Sequence, residues 1–174
     1  MTDLSREAIL ARLPDATAQR LTLYAELLTR WQSTINLVAA ATLPDLWSRH
    51  IGDSLQVQAA APEARHWVDL GSGGGFPGLV TAIILADEPG VEVHLVESDK
   101  RKAAFLRTVS RETAAPAHVH AERIETFAPA HTAHVDAVSA RALAPLPQLV
   151  AWSEKFLLAG ASASFPRDNA SRPN

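Results

Sequence analysis

The 174-residue chain contains no cysteine. That excludes a disulfide scaffold, a cysteine-ligated zinc site and a cysteine nucleophile. Glycine and proline are scarce, at 8 and 11 residues, which excludes a collagen-like or low-complexity chain. Long apolar runs are missing too: no stretch approaches 18 uninterrupted apolar residues, and residues 1–13 are broken by Asp3, Arg6, Glu7 and Arg12. Neither a membrane span nor a secretory leader is expected, and the cytoplasm is the default compartment. Nor is there an excess of positive charge. The formal net charge is −3, so nucleic-acid binding must come from a local patch. What the chain does have is length and 47% apolar residues. That suffices for one domain, or one domain with a small appendage, folding without metal or disulfide.

Three helical patterns fill residues 4–62. In the second, Leu21, Tyr24, Leu28, Trp31 and Ile35 recur at the spacing of one helical stripe, with Asp15 or Thr17 as its cap. In the third, Leu43, Leu46, Trp47, Ile51 and Leu55 share a face, Pro44 suits a first turn and Pro62 ends the helix. From residue 66 the pattern changes. Apolar runs at 66–70, 91–96, 117–121 and 135–138 read as strands, and residues 76–86, 99–112 and 145–158 as helices. Phe105, Leu106 and Val109 face inward from the second of these helices; Leu146, Leu149, Val150 and Phe156 are available for the buried side of the third. A fifth strand is expected within 161–165, and residues 166–174 read as a disordered tail. The order β-α-β-α-β-β-α predicts an α/β fold, with a mostly parallel sheet and helices on both faces. The organisation expected is a helical extension over 1–62, a ligand-binding domain over 63–165 and the tail.

The sharpest motif is VDLGSGGGFPG at 68–78, where a strand gives way to a helix. A glycine loop there lets backbone approach a ligand closely, and the following helix aims its free N–H groups at it. Gly73, Gly75 and Gly78 satisfy G-x-G-x-x-G, the dinucleotide fingerprint, whereas Asp69 with Gly71, Gly73 and Gly75 satisfies D-x-G-x-G-x-G. A carboxylate directly before the glycines is poorly placed for a pyrophosphate and well placed near the methionine ammonium of S-adenosylmethionine. This favours S-adenosylmethionine over a nicotinamide dinucleotide; a plain tight turn is the remaining alternative. Glu97, at the tip of the second strand, suits ribose hydroxyls in either class.

Three stretches together carry a family resemblance: VDLGSGGGFPG; the upstream Arg30-Trp31, Ile35-Asn36-Leu37 and Arg49-His50-Ile51-Gly52-Asp53-Ser54; and Ser139-Ala140-Arg141-Ala142. Over residues 20–158 the chain resembles the bacterial guanine-N7 methyltransferases of small-subunit (16S) ribosomal RNA, the glucose-inhibited division protein B family. The resemblance implies a Rossmann-like class I methyltransferase fold and S-adenosylmethionine as cofactor. It implies that Gly71 and Phe76 contact the cofactor, that Ile124 and Glu125 lie beside the adenine, that Glu97 holds the ribose and that Arg141 reaches the site as a positioning candidate. His50 and Asp53 would lie near the pocket or brace it. The partner implied is 16S ribosomal RNA or the small subunit, with no membrane association and a monomeric chain. The family continues past residue 158 through further strands, where this chain has a short polar ending; the resemblance therefore implies a C-terminally shortened member with its last sheet strands missing and a bare sheet edge. A truncated, catalytically inactive remnant and a nicotinamide-dependent oxidoreductase are the alternatives.

Guanine N7 carries no proton, so its methylation needs no general base, and no catalytic residue is assigned. The chain also lacks an Asp/Asn-Pro-Pro-aromatic segment of the kind used on exocyclic amines. Lys100, Arg107 and Arg111 share a face of one helix, either a solvated surface or an RNA contact. His118 and His120 share a strand side and are read as lining a surface, with no metal site assigned. Trp31, Trp47, Trp67 and Trp152 are read as core.

Overall fold

A computed structural model describes residues 4–141 and 143–166. Ala142 and most of the expected disordered tail therefore lie outside the described residues.

The chain opens with a short helix α1 (Arg6–Leu10), capped by the Ser5 hydroxyl. Helix α2 (Asp15–Gln32) follows, and Leu21, Tyr24 and Leu28 of its stripe are fully buried. Its N-cap is Pro14, which offers no side-chain bond, and Thr17 is buried within the helix rather than capping it. The single third helix expected over 43–62 is instead three pieces: a 3₁₀ segment (Ala40–Asp45) containing Pro44, a π-helical turn (Leu46–Gly52) and α3 (Asp53–Ala59). The wider π turn buries Leu46 and Ile51, five residues apart, on the same side.

The sheet comprises β1 (His66–Leu70), β2 (Glu92–Val96), β3 (Ala117–His120), β4 (Ala137–Ala140) and β5 (Ser162–Ser164). Among the described residues its order is β3-β2-β1-β4-β5, and every pair is parallel. Helices α4 (Gly78–Ile84), α5 (Lys100–Thr113), α6 (Ile124–Ala130) and α7 (Leu146–Leu158) are the crossovers. The period-2 alternation of the strands splits the core in two. Trp67, Val93, Leu95 and Ala137 face α2, α4 and α5, whereas Val68, Leu70, Val96 and Val138 face α6 and α7. The fold thus agrees with the expected α/β class, and the fifth strand forms at the β4 edge.

Three details differ from expectation. Helix α6 stands where the sequence pattern shows no element: it is short and holds Pro129, yet Ile124, Phe127 and Ala128 pack at helical spacing. Strand β4 begins two residues later than the apolar run, which brings Ser139 and Ala140 into the sheet. On α7, Leu149 and Phe156 are buried as expected, but Leu146 and Val150 are exposed, at 51% and 43%. The helix rolls so that Ser153 takes the inward position between Leu149 and Phe156.

Candidate functional site

In an open parallel sheet, ligands bind outside the strands' carboxyl ends, at the point where strand order reverses. Here that point lies between β1 and β4, because β1 leads to β2 on one side and β4 lies on the other. The glycine loop, residues 71–75, sits directly on it.

Three elements hold the loop. From β1 beneath it, the Asp69 carboxylate is 1% exposed; it accepts from the Gly78 N–H at 3.2 Å and from the Ser139 hydroxyl at 2.7 Å. Burial, outweighing these hydrogen bonds, pushes its pKa up to about 6. Asp69 lines neither cavity described below; its carboxylate ties the loop's exit to β4. From the helical layer, the Tyr24 hydroxyl donates to the Gly74 carbonyl at 2.5 Å. Gly75 has φ +101°, and a Cβ there would lie 2.7 Å from that hydroxyl, so the position admits only glycine. From β2, the two Glu97 oxygens accept from the N–H groups of Gly73 and Asp99, each at 2.8 Å.

Two cavities open on the loop. The larger, about 300 Å³, is lined by Gly71, Gly73, Phe76, His50, Thr42 and Arg141 among others. The smaller, about 140 Å³, is lined by Gly71, Glu97, Ile124, Glu125, Leu143 and Trp152 among others. They meet at Gly71, over which the Leu143 side chain lies. The structure therefore brings Gly71, Gly73, Phe76 and Arg141 to one chamber and Glu97, Ile124 and Glu125 to the other. Gly75 lines neither; it turns inward against Tyr24.

The larger chamber's outer wall comes from the helical segment. The Gln32 amide clamps residues 36–38: its oxygen accepts from Leu37 and Val38 N–H, and its nitrogen donates to the Val38 carbonyl. His50, 8% exposed, bonds to the Thr42 hydroxyl at 2.8 Å and packs its ring 5.1 Å from that of Phe76. Arg141 donates to the Arg49 carbonyl at 3.1 Å. His50 thus lies in the chamber wall, and Asp53 heads α3 one turn later. Tyr24 and Gln32, which hold the loop and the wall segment, and Thr42, which lines the larger cavity, are missed by sequence reasoning. A buried tyrosine hydroxyl must find a partner, so Tyr24 in a core stripe is a usable signal. Gln32 and Thr42 offer none.

The basic face of α5 is partly committed. Arg107 donates to the Val119 carbonyl, Arg111 pairs with Glu112, and Arg101 donates to the Thr34 carbonyl. The strand histidines do more than line a surface. His118 and His120 join His94 and His131 around Phe127, with His94 Nδ1 2.9 Å from His120 Nε2. Burial is the main cause that lowers the pKa of His94, to about 4, and those of His120 and His131. Among the described residues no group of three His, Asp or Glu is arranged to hold a metal, and no helix is long and apolar enough to cross a membrane. Trp67 is core, and Trp31 and Trp47 pack against the core; Trp152 differs in that it also lines the smaller cavity.

Solved structures with this fold include cofactor-bound Rv0187 from MTB (TM-score 0.58, 16% identity, 79% of this chain and 60% of that one). Another is the O-methyltransferase TomG from Streptomyces achromogenes in complex with SAM (TM-score 0.57, 19% identity, 79% and 60%). Closer in sequence are proteins named ribosomal RNA small subunit methyltransferase G. The one from Bradyrhizobium sp. (strain BTAi1) is 52% identical over 165 residues, 95% of this chain and 70% of the relative. The one from Methylobacterium sp. (strain 4-46) is 51% identical over 170 residues, 96% of this chain and 80% of the relative. The family model GidB, rRNA small subunit methyltransferase G, matches residues 17–165, and the chain belongs to that family.

Proposed function

We propose that this chain uses S-adenosylmethionine to methylate N7 of a guanine in the 16S RNA of the small ribosomal subunit. The observation that carries the reading is the pair of cavities meeting at Gly71 on the carboxyl ends of β1 and β4. The smaller chamber carries the groups an adenosine needs: Glu97 keeps lone pairs for ribose hydroxyls, and Ile124 and Trp152 offer apolar walls to a planar ring, with Glu125 also in the lining. Gly71 and Gly73 would border the chain of the cofactor on the way to Phe76, and the larger chamber would take the acceptor base.

When bound, S-adenosylmethionine supplies an electrophilic methyl group, and guanine N7 meets it with a lone pair and no proton. No side chain therefore has to act as a base. What the protein supplies is alignment and exclusion of water. Arg141 suits the alignment role, because a guanidinium is a donor only and its anchor on the Arg49 carbonyl fixes where it can hold a phosphate or a base edge. Residues 1–62 serve as a helical extension walling the acceptor side, and residues 63–165 hold the cofactor. The chain acts as a monomer in the cytoplasm.

The test is to incubate the purified chain with labelled S-adenosylmethionine and small-subunit RNA, then digest to nucleosides and separate by mass. Label in 7-methylguanosine supports the reading; label in any other nucleoside, or none, overturns it. Thermal unfolding with S-adenosylmethionine and with NAD runs alongside. A ligand at 100 times its dissociation constant raises stability by about 2.7 kcal/mol, and only the first should do so.

A further inference from the structure

The wall of the larger chamber also holds an imidazole with no assigned part in methyl transfer. His50 lies on the π-helical turn Leu46–Gly52, is buried, and bonds through Nε2 to Thr42. The same Thr42 hydroxyl lies 2.8 Å from the Ala39 carbonyl, so the ring is tied through Nε2 to the 39–42 segment. On its other side the ring meets Phe76, centroids 5.1 Å apart and planes 39° apart. Together the two rings form one aromatic wall. The residue before His50 is Arg49, whose carbonyl accepts from Arg141. A single π turn thus carries the ring and accepts from the guanidinium, and both line one chamber of about 300 Å³. Enzymes that act on a nucleobase take it out of its stack and hold it against aromatic faces.

We propose that His50, anchored by Thr42, is the positioning residue that stacks the acceptor base, and that the π turn sets its distance from Arg141. This rests on the proposed methyltransferase activity. The imidazole face takes the base, and the Thr42 bond stops the ring from turning.

Four variants test it: His50→Ala, His50→Phe, Thr42→Val and the double His50→Ala/Thr42→Val. For each, kcat and KM for small-subunit RNA, affinity for S-adenosylhomocysteine by calorimetry, and Tm are measured. Removing the ring should lower kcat by on the order of 10- to 100-fold, as expected for a misaligned reactant. His50→Phe keeps a ring face without the Nε2 bond and Thr42→Val removes that bond from the histidine, so both should lose only a few-fold. The double variant should be no worse than His50→Ala alone, because Thr42 acts through the ring. Cofactor affinity should stay within about twofold of wild type throughout. His50→Phe as damaged as His50→Ala, additive losses in the double variant, or a kcat loss matched by lost cofactor affinity or Tm, would each overturn the assignment. Wild type serves as the separate control: if it makes no 7-methylguanosine, the parent reading fails; if it does and the variants match it, only the role of His50 fails.

Discussion

Among the described residues, the sheet face covered by α2, α4 and α5 buries 28 apolar residues in one cluster, and the face covered by α6 and α7 buries 12. The large exposed apolar side chains, Leu143, Leu146, Val150 and Leu158, all belong to the second side. The glycine loop lies where the two faces meet, yet it is tied mainly to the first: Tyr24 reaches it from α2, and Asp69 and Gly78 are crowded against Leu95. The second face supplies Ile124, Glu125 and Trp152 to the smaller chamber from short or exposed elements. The half with the larger apolar cluster therefore sets loop geometry, and the lighter half lines the smaller chamber.

The sharpest way to break that contrast is to crowd the dense side. A Cβ on Gly78 would lie 2.5 Å from Asp69 Cβ and 2.5 Å from Leu95 Cδ2, both fully buried. Gly78→Ala should cost about 3 kcal/mol, the upper range of overpacking, in urea unfolding. A loss under about 1 kcal/mol would show that the dense face yields easily.

Tyr24→Phe comes next. It removes the hydroxyl from the buried Gly74 carbonyl and leaves that oxygen unpaired. Losing one partner of a buried pair costs about 1–3 kcal/mol. Stability should fall by that amount, and affinity for S-adenosylhomocysteine should fall with it, because the loop loses its tether. Lost stability with full affinity would separate Tyr24 from the site.

How much of this is legible in the chain follows the same division. Strands β1 and β2 and helices α2 and α5 are legible because buried elements leave a clean period: Leu21, Tyr24 and Leu28 at helical spacing, Val93 and Leu95 alternating in β2. The glycine loop is legible because glycines crowded at a strand's end have few other uses. On the lighter face the signal thins. Pro129 masks α6, and the apolar residues of α7 exceed what its buried side needs, so periodicity alone turns Leu146 and Val150 inward. Asp69 is a different case. Spacing places it at the start of the glycine loop, but only the sheet register, which pairs Asp69 with Ser139, shows where its carboxylate is held. The outer wall of the site depends on Gln32, Thr42 and a π turn, none of which has a periodic signature.

Acid should separate the two faces. On the lighter one, His94, lowered to about 4, with His120 and His131 also lowered, binds protons less readily folded than unfolded. Its stability contribution is complete above the unfolded value of 6.5 and is lost as pH falls toward about 4. On the dense face Asp69 acts oppositely. Its pKa is raised from 3.8 to about 6, so its charge weakens the fold as pH rises across that interval, and acid restores the difference. Asp136, lowered to about 2 because hydrogen bonds from Arg65, His66 and His134 outweigh its burial, matters only below 3.8. Between pH 7 and 4.5 the two faces therefore partly cancel. Asp69→Asn should make Tm fall more steeply than wild type over that interval, and His94→Leu should make it fall less. Parallel profiles for all three proteins would mean that neither group governs acid stability.

The smallest effect is expected at the far end of the lighter face, where the same substitution as at Gly78 meets no resistance. Gly160 follows α7 with φ +99°, and nothing lies within 4 Å of where its Cβ would be. Gly160→Ala carries only the backbone cost of a left-handed conformation, about 1–2 kcal/mol. The alanine also stiffens the unfolded chain, which returns about 0.4–1 kcal/mol. The net loss should be about 1 kcal/mol or less, several degrees of Tm at most. Once the left-handed backbone cost at Gly160 is subtracted, the difference between the losses of Gly78→Ala and Gly160→Ala reports how tightly the two sites are packed. Equal losses would mean that the segment after α7 is held as firmly as the glycine loop, and the division of labour between the two faces would have to be abandoned.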